Sequence, residues 1–264
     1  MIKLTTEELR NNALSPETLQ IAVQQVKVNG YTILESVLPA DFIAELRDDY
    51  MQIYDEALKS PPDKTFGNRH FRLYLPFRQP YTDDRIINSP FALPVFEALL
   101  GPDLVCHYFA SNTCAPGSDY QPVHSDTYNL YPEHELVVPP FMMVLNIPLV
   151  DTTEDNGPMD MWDGTHISRV SRSEMETVAP HLSRLSGTMP AGSIMIRDGR
   201  MWHRGTRNHS DRPRPNIAIV YTRPWLSSGP KRIGIPQATF DSLPERLKKI
   251  YQNNTIGAPL DEPW

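Results

Sequence analysis

In the stretch QPVHSDTYN, residues 121–129, a histidine and an aspartate stand two positions apart. Residues i and i+2 of an extended strand project to the same face, so His124 and Asp126 can point together. Such a pair suits a metal ion, but an H-x-D pattern also arises by chance and decides little alone. A second stretch, RDGRMWHRGTRNHSDRPRPNIAIVYT (197–222), sets His203 between two strand-like runs, SIMIRD and NIAIVYT. Folding those runs together can bring His203 beside His124 and Asp126. Two imidazoles and one carboxylate on one side of a metal leave its other positions open, as in non-haem Fe(II) oxygen chemistry. Arg214 follows His203 by 11 positions (214 − 203) and carries a planar fork suited to a carboxylate. An iron site beside an arginine points to a cosubstrate with two acids, one for each.

The elements that must position these residues fall into two textures. Before Gly101 the chain reads as helical. SPETLQIAVQQVKVNG offers Ser15 as N-cap, Pro16 at the first helical position and Gly30 as a stop. A short strand, YTILES, follows. PADFIAELRDDYMQIYDEALKS then carries apolar residues at helical spacing, with a cap expected at Ala40 or Asp41, and SPFALPVFEALLG predicts a further helix. After Gly101, LVCHYFA, FMMVLNIPLV, GSIMIRD and NIAIVYT are short β-branched and aromatic runs bounded by turn residues. Such runs predict an antiparallel sandwich or jelly roll braced by helices. TFDSLPERLKKIYQN reads as a final short helix. The expected organisation is one domain over 1–264: a helical part to about 60, a barrel core over about 104–226, and a C-terminal helix and tail over 227–264.

The joint pattern resembles the phytanoyl-CoA dioxygenase family of Fe(II)- and 2-oxoglutarate-dependent oxygenases. The matching residues are H-x-D at 124–126 and a distant H-x-G-x-x-N-x-S-x-x-x-R, filled by His203, Gly205, Asn208, Ser210 and Arg214. DNGPMDMWDGTH (155–166) and VNGYTILESVLPADFIAELR extend the likeness. The resemblance implies a double-stranded β-helix, a cupin-like jelly roll, with His124, Asp126 and His203 on iron and Arg214 on the distal carboxylate of 2-oxoglutarate. It also implies O2 as co-reactant, ascorbate as an aid in vitro, and release of succinate and CO2 as a substrate C–H is oxidised, most simply by hydroxylation. Gln121 stands where some members place a cosubstrate-binding glutamine, although strict alternation turns it away from His124 unless Pro122 distorts the strand. A serine that some members use for the cosubstrate is replaced here by Gly205, so that contact is missing or supplied elsewhere. Related halogenases carry a small residue at the position of Asp126, so the carboxylate argues for oxygenation.

Rival readings attach to several residues. His166 is the alternative distal ligand but lacks a downstream arginine. His107, inside an apolar strand, reads as an interior histidine, whereas His70, His134, His181 and His209 read as surface or loop residues. Cys106 and Cys114 read as inert reduced thiols, with Cys114 as an alternative cavity-lining residue. In GNRHFRLYLPFRQP, Arg69, Arg72 and Tyr74 form either a solvated strand face or, through Arg69 or Arg72, a clamp for an acidic substrate. Tyr128, Asn129 and Tyr131 follow the metal pair and are candidates for substrate contact. A cupin-like metal protein of another function (isomerase, hydrolase or binder) keeps the three ligands but has no use for Arg214. A scaffold with a chance motif is the weakest alternative.

Composition narrows the partners. The formal net charge is −7 and no Lys/Arg run stands out, which argues against nucleic acid and weakens the case for a CoA ester. No stretch has the apolar length of a membrane span, and the first 15 residues lack a signal-peptide core. A cytoplasmic protein acting on a small molecule is expected, for example a secondary-metabolite intermediate. The residues do not distinguish a monomer from a homodimer.

Overall fold

A computed structural model of the chain describes residues 1–59, 67–131, 136–226 and 233–260. The main sheet has the strand order β1-β2-β8-β5-β10-β4-β3. Its strands are β1 (Ile2–Lys3), β2 (Tyr31–Glu35), β3 (His70–Tyr74), β4 (Val105–Cys114), β5 (Met142–Pro148), β8 (Ile194–Asp198) and β10 (Arg214–Thr222). All neighbours pair antiparallel except β1 and β2. A second sheet, β7-β6-β9, joins β6 (Met159–Met161), β7 (Leu185–Ser186) and β9 (His203–Gly205). It is widened by a bridge between His124 and His203.

Alternation divides the main sheet into two faces. On β10, Ile217, Ile219 and Tyr221 join the apolar core, while Arg214, Asn216, Ala218 and Val220 line a cavity on the opposite face. β5 repeats the division, with Met143 and Leu145 in the core and Met142 and Val144 in the cavity. The helices Pro16–Asn29, Ala40–Ala57 and Leu93–Leu100 cover the core face with Val26, Leu46, Tyr50, Phe96 and Leu99. The jelly roll is thus braced from outside, and its interior is left for chemistry.

Local signals explain several helix ends. Ser15 caps Pro16–Asn29 by accepting from Thr18 N, and Gly30 ends it at φ 92°. Ala40–Ala57 starts behind Pro39 without a side-chain cap, so neither Ala40 nor Asp41 serves as one. The expected last helix is two, Gln237–Ser242 and Glu245–Tyr251, because Pro244 lacks the N–H to continue the first. The sheet also reaches beyond the expected barrel core, drawing β1, β2 and β3 from before residue 104.

Candidate active site

His124 and His203 face one another across a short antiparallel ladder, His124 N donating to His203 O at 3.0 Å and His203 N to His124 O at 2.9 Å. Each imidazole is turned by its own backbone. Nδ1 of His124 lies 2.8 Å from Pro122 O, and Nδ1 of His203 lies 2.9 Å from Met201 O. A protonated Nδ1 satisfies those carbonyls and leaves both Nε2 lone pairs for a common target, the arrangement typical of metal-binding histidines. Burial lowers the pKa of both rings, His203 well below the ordinary 6.5, so both are neutral donors at pH 7. Asp126 Oδ1 lies 4.0 Å from Nε2 of His124 and 3.7 Å from Nε2 of His203.

The three donor atoms lie within 4.8 Å of one another. Two neutral imidazoles and one carboxylate, aimed at one point with their far sides tied down, fit a divalent cation. Burial alone raises the Asp126 carboxyl, but the Arg197 guanidinium beside it holds it well below the usual carboxylate range. Arg197 Nη2 lies 2.5 Å from Asp126 Oδ2. Sequence reasoning missed Arg197, although a cation alternating with Ile194 and Ile196 inside an apolar strand marks an inward-facing charge.

Gln121 reaches the same cavity as His124 and Asp126. Its N–H pairs with Gly205 O and that of His124 with His203 O, so three steps on one strand face two on the other. The extra residue is a bulge around Pro122 and Val123, which restores Gln121 to the His124 side. Gln121 Oε1 accepts from Gly205 N at 2.8 Å. A side chain at Gly205 would have its Cβ 2.7 Å from His70 Cε1 and 2.9 Å from Gln121 Oε1. The place of the expected serine is therefore filled by His70 and Gln121. His70 is buried on β3, bonded to Asp119 O, and lines the cavity, which corrects its reading as a surface residue.

Arg214 enters this cavity from the start of β10, where its register partner is Cys114. The intervening motif residues hold the turn. Asn208 donates to Cys114 O at 2.9 Å and to Arg212 O at 2.8 Å, while its Oδ1 accepts from Ser210 N and Oγ. Arg214 Nε donates to the carbonyl of Gly157, from the NGP segment. Gly157 is at φ 82°, and a Cβ there would lie 2.5 Å from Cys114 Sγ. Thr165 of the GTH segment accepts from Trp202 N and so braces the residue before His203. His166 lies apart, with Nε2 against Lys27 O and its ring beside Gly30.

The cavity has a volume of about 370 Å³, within the ~300–1,000 Å³ range of small-molecule sites. Its floor is polar, with Asn112 and Asn216 opposed in register and Arg72 beside Asn112. His107 is interior, as expected, but a register shift between Val220 and Tyr221 lets both His107 and Tyr108 line the cavity. Cys114 also lines it, buried, with Sγ against Ser118 Oγ and Thr206 O. Tyr128 stands between this cavity and a second of about 240 Å³ that includes Asn129, Arg169 and Arg172. Arg69 lines neither of the two cavities. His181 and His209 are exposed, and His134 lies outside the described residues.

Comparison with known proteins agrees with this geometry. "Dioxygenase af480" of Aspergillus fumigatus is 27% identical over 194 residues, covering 70% of this chain. The chain spans about 59% of that relative's length. Two structures from nogalamycin biosynthesis share the fold. The non-heme alpha ketoglutarate dependent epimerase SnoN has a TM-score of 0.61 at 18% identity, over 83% of this chain and 92% of its own. The carbocyclase SnoK has a TM-score of 0.61 at 20% identity, over 84% of this chain and 90% of its own. SnoN is also known in complex with Fe3+, alpha ketoglutarate and nogalamycin RO. The sequence profile of the family described as phytanoyl-CoA dioxygenase (PhyH) matches residues 26–216, so the chain belongs to that family.

Proposed function

We propose that this protein is an Fe(II)- and 2-oxoglutarate-dependent dioxygenase that hydroxylates an unactivated C–H of a small molecule. The overall change is R–H + 2-oxoglutarate + O2 → R–OH + succinate + CO2. One observation carries the reading: a His-Asp-His donor set, with both imidazoles buried, and the guanidinium fork of Arg214 share one small cavity. In this reading His124, Asp126 and His203 hold the metal, and Arg214 binds the distal carboxylate of 2-oxoglutarate, with Gln121 beside it. Iron, when bound, supplies the centre at which 2-oxoglutarate decarboxylation is coupled to O2 activation. The protein orients the cosubstrate, presents the substrate C–H to the metal face and excludes bulk water.

Arg72 and Tyr128 are the substrate contacts best supported by position, because both line this cavity. Asn129, which donates to Ser168 O, reaches only the neighbouring cavity and suits a substrate that extends past Tyr128. Arg69 receives no substrate role here. The secondary-metabolite reading draws on SnoN and SnoK, an epimerase and a carbocyclase from nogalamycin biosynthesis.

The test is succinate formation from 2-oxoglutarate with Fe(II), ascorbate and a panel of candidate substrates, with products identified by mass spectrometry. A product heavier by one oxygen supports hydroxylation, whereas an isomer or a product lighter by two hydrogens shifts the reading to epimerisation or ring closure. Arg214→Ala is expected to weaken 2-oxoglutarate binding at least ~10-fold, as loss of a bidentate charged pair should. Asp126→Ala is expected to abolish turnover. Iron-independent chemistry, or unchanged 2-oxoglutarate binding by Arg214→Ala, would rule the dioxygenase reading out.

A further inference from the structure

Arg197 is a cation almost wholly removed from water, its side chain only 4% exposed. A buried guanidinium is costly unless it is paired, and two of its three nitrogens have partners. Nε donates to Asn146 Oδ1 at 3.0 Å, and Nη2 meets Asp126 Oδ2 at 2.5 Å. Asn146 sits two residue pairs along the β5–β8 ladder, where Val144 opposes Arg197 and Asn146 opposes Met195. The guanidinium is thus anchored to the rigid sheet before it reaches Asp126, which lies on irregular backbone between Ser125 and Thr127. The two carboxylate oxygens are divided: Oδ2 is on Arg197, and Oδ1 is the atom near both imidazoles.

We propose that Arg197 is a positioning residue that holds Asp126 Oδ2 on the protein side and so presents Oδ1 alone to the metal. A carboxylate free to turn can offer both oxygens and occupy an additional coordination position. One held by a charged hydrogen bond from a sheet-anchored fork cannot do so without losing that bond. Positions that 2-oxoglutarate and O2 require therefore stay open. This role rests on the metal assignment above and adds to it a residue outside the H-x-D…H motif.

A double-mutant cycle on the full chain tests it, reading Mn(II) affinity by calorimetry alongside thermal melting. Arg197→Leu is expected to weaken Mn(II) binding by ~10–100-fold, and Arg197→Lys, which keeps the charge but not the fork, to recover part of the loss. In an Asp126→Gly background the same Arg197→Leu change should alter the affinity less than about twofold, because its path to the metal is gone. Arg197→Gln provides a neutral variant with amide donors should Leu prevent folding. An equal loss in both backgrounds, or none in the native one, overturns the positioning role alone. Native protein that binds no Mn(II) overturns this role and the dioxygenase reading together.

Discussion

Gly157 shows how one residue can serve the site without touching a ligand. Its φ of 82° lies in the left-handed region, and its carbonyl accepts from Arg214 Nε. The space above its Cα is filled by Cys114 Sγ and Thr206 O. Gly157→Ala therefore carries backbone strain and a collision with a buried group. Melting should report a loss of roughly 1–3 kcal/mol, and 2-oxoglutarate binding should weaken as Arg214 shifts. Gly117 supplies the control: φ is 70°, but a Cβ there meets nothing within 4 Å. Gly117→Ala should lower the melting temperature and leave 2-oxoglutarate affinity unchanged. Equal effects of both variants on that affinity would show that Gly157 acts through backbone strain alone.

At the level of elements, the site depends on two interruptions of regular β structure. The bulge at Pro122–Val123 turns Gln121 toward His124 and Asp126, and the turn between β9 and β10 delivers Arg214 into the same cavity. That turn is held by Asn208, only 1% exposed, whose amide bonds the end of β4 through Cys114 O and closes the loop through Arg212 O and Ser210. Asn208→Ala leaves buried carbonyls without their donor at a cost of roughly 1–3 kcal/mol. The expected result is a lower melting temperature together with weaker 2-oxoglutarate binding, while Mn(II) affinity stays close to native because His203 precedes the turn. A variant that loses Mn(II) and 2-oxoglutarate in parallel would place the effect on the whole minor sheet.

Across the whole molecule, burial of imidazoles predicts acid sensitivity. His70, His124, His166 and His203 are buried, and desolvation lowers the pKa of each from 6.5. Unfolding frees these rings, so below 6.5 the unfolded chain binds protons that the folded chain refuses. Stability is complete above 6.5 and falls with pH toward the folded values, by up to about 1.4 kcal/mol per pH unit for each group. The Asp126 carboxyl, held low, adds its own loss only at more acid pH. Melting of the metal-free protein from pH 7.5 to 5 should show a decline that begins near 6.5, and a flat profile would contradict it. His166→Gln should reduce the slope without changing Mn(II) affinity, since His166 stands outside the donor set. Among the described residues no helix is long and apolar enough to cross a membrane.

The amino-acid sequence by itself determined the His-x-Asp…His donor pattern, the arginine beyond it, the main helices and the four long strands. These are legible because alternation, helical spacing, capping and ligand chemistry are local properties of the chain. Only the tertiary structure decided how β3 joins the cavity, bringing His70 and Arg72 to a wall that a single strand reads equally well as solvated. It alone decided that Gly205 makes room for His70 and Gln121, and that Arg197 reaches Asp126 from a strand 71 positions later (197 − 126). Each of these depends on which strands are neighbours and in what register. Pairing energy between distant segments sets that, and no short window of sequence contains it.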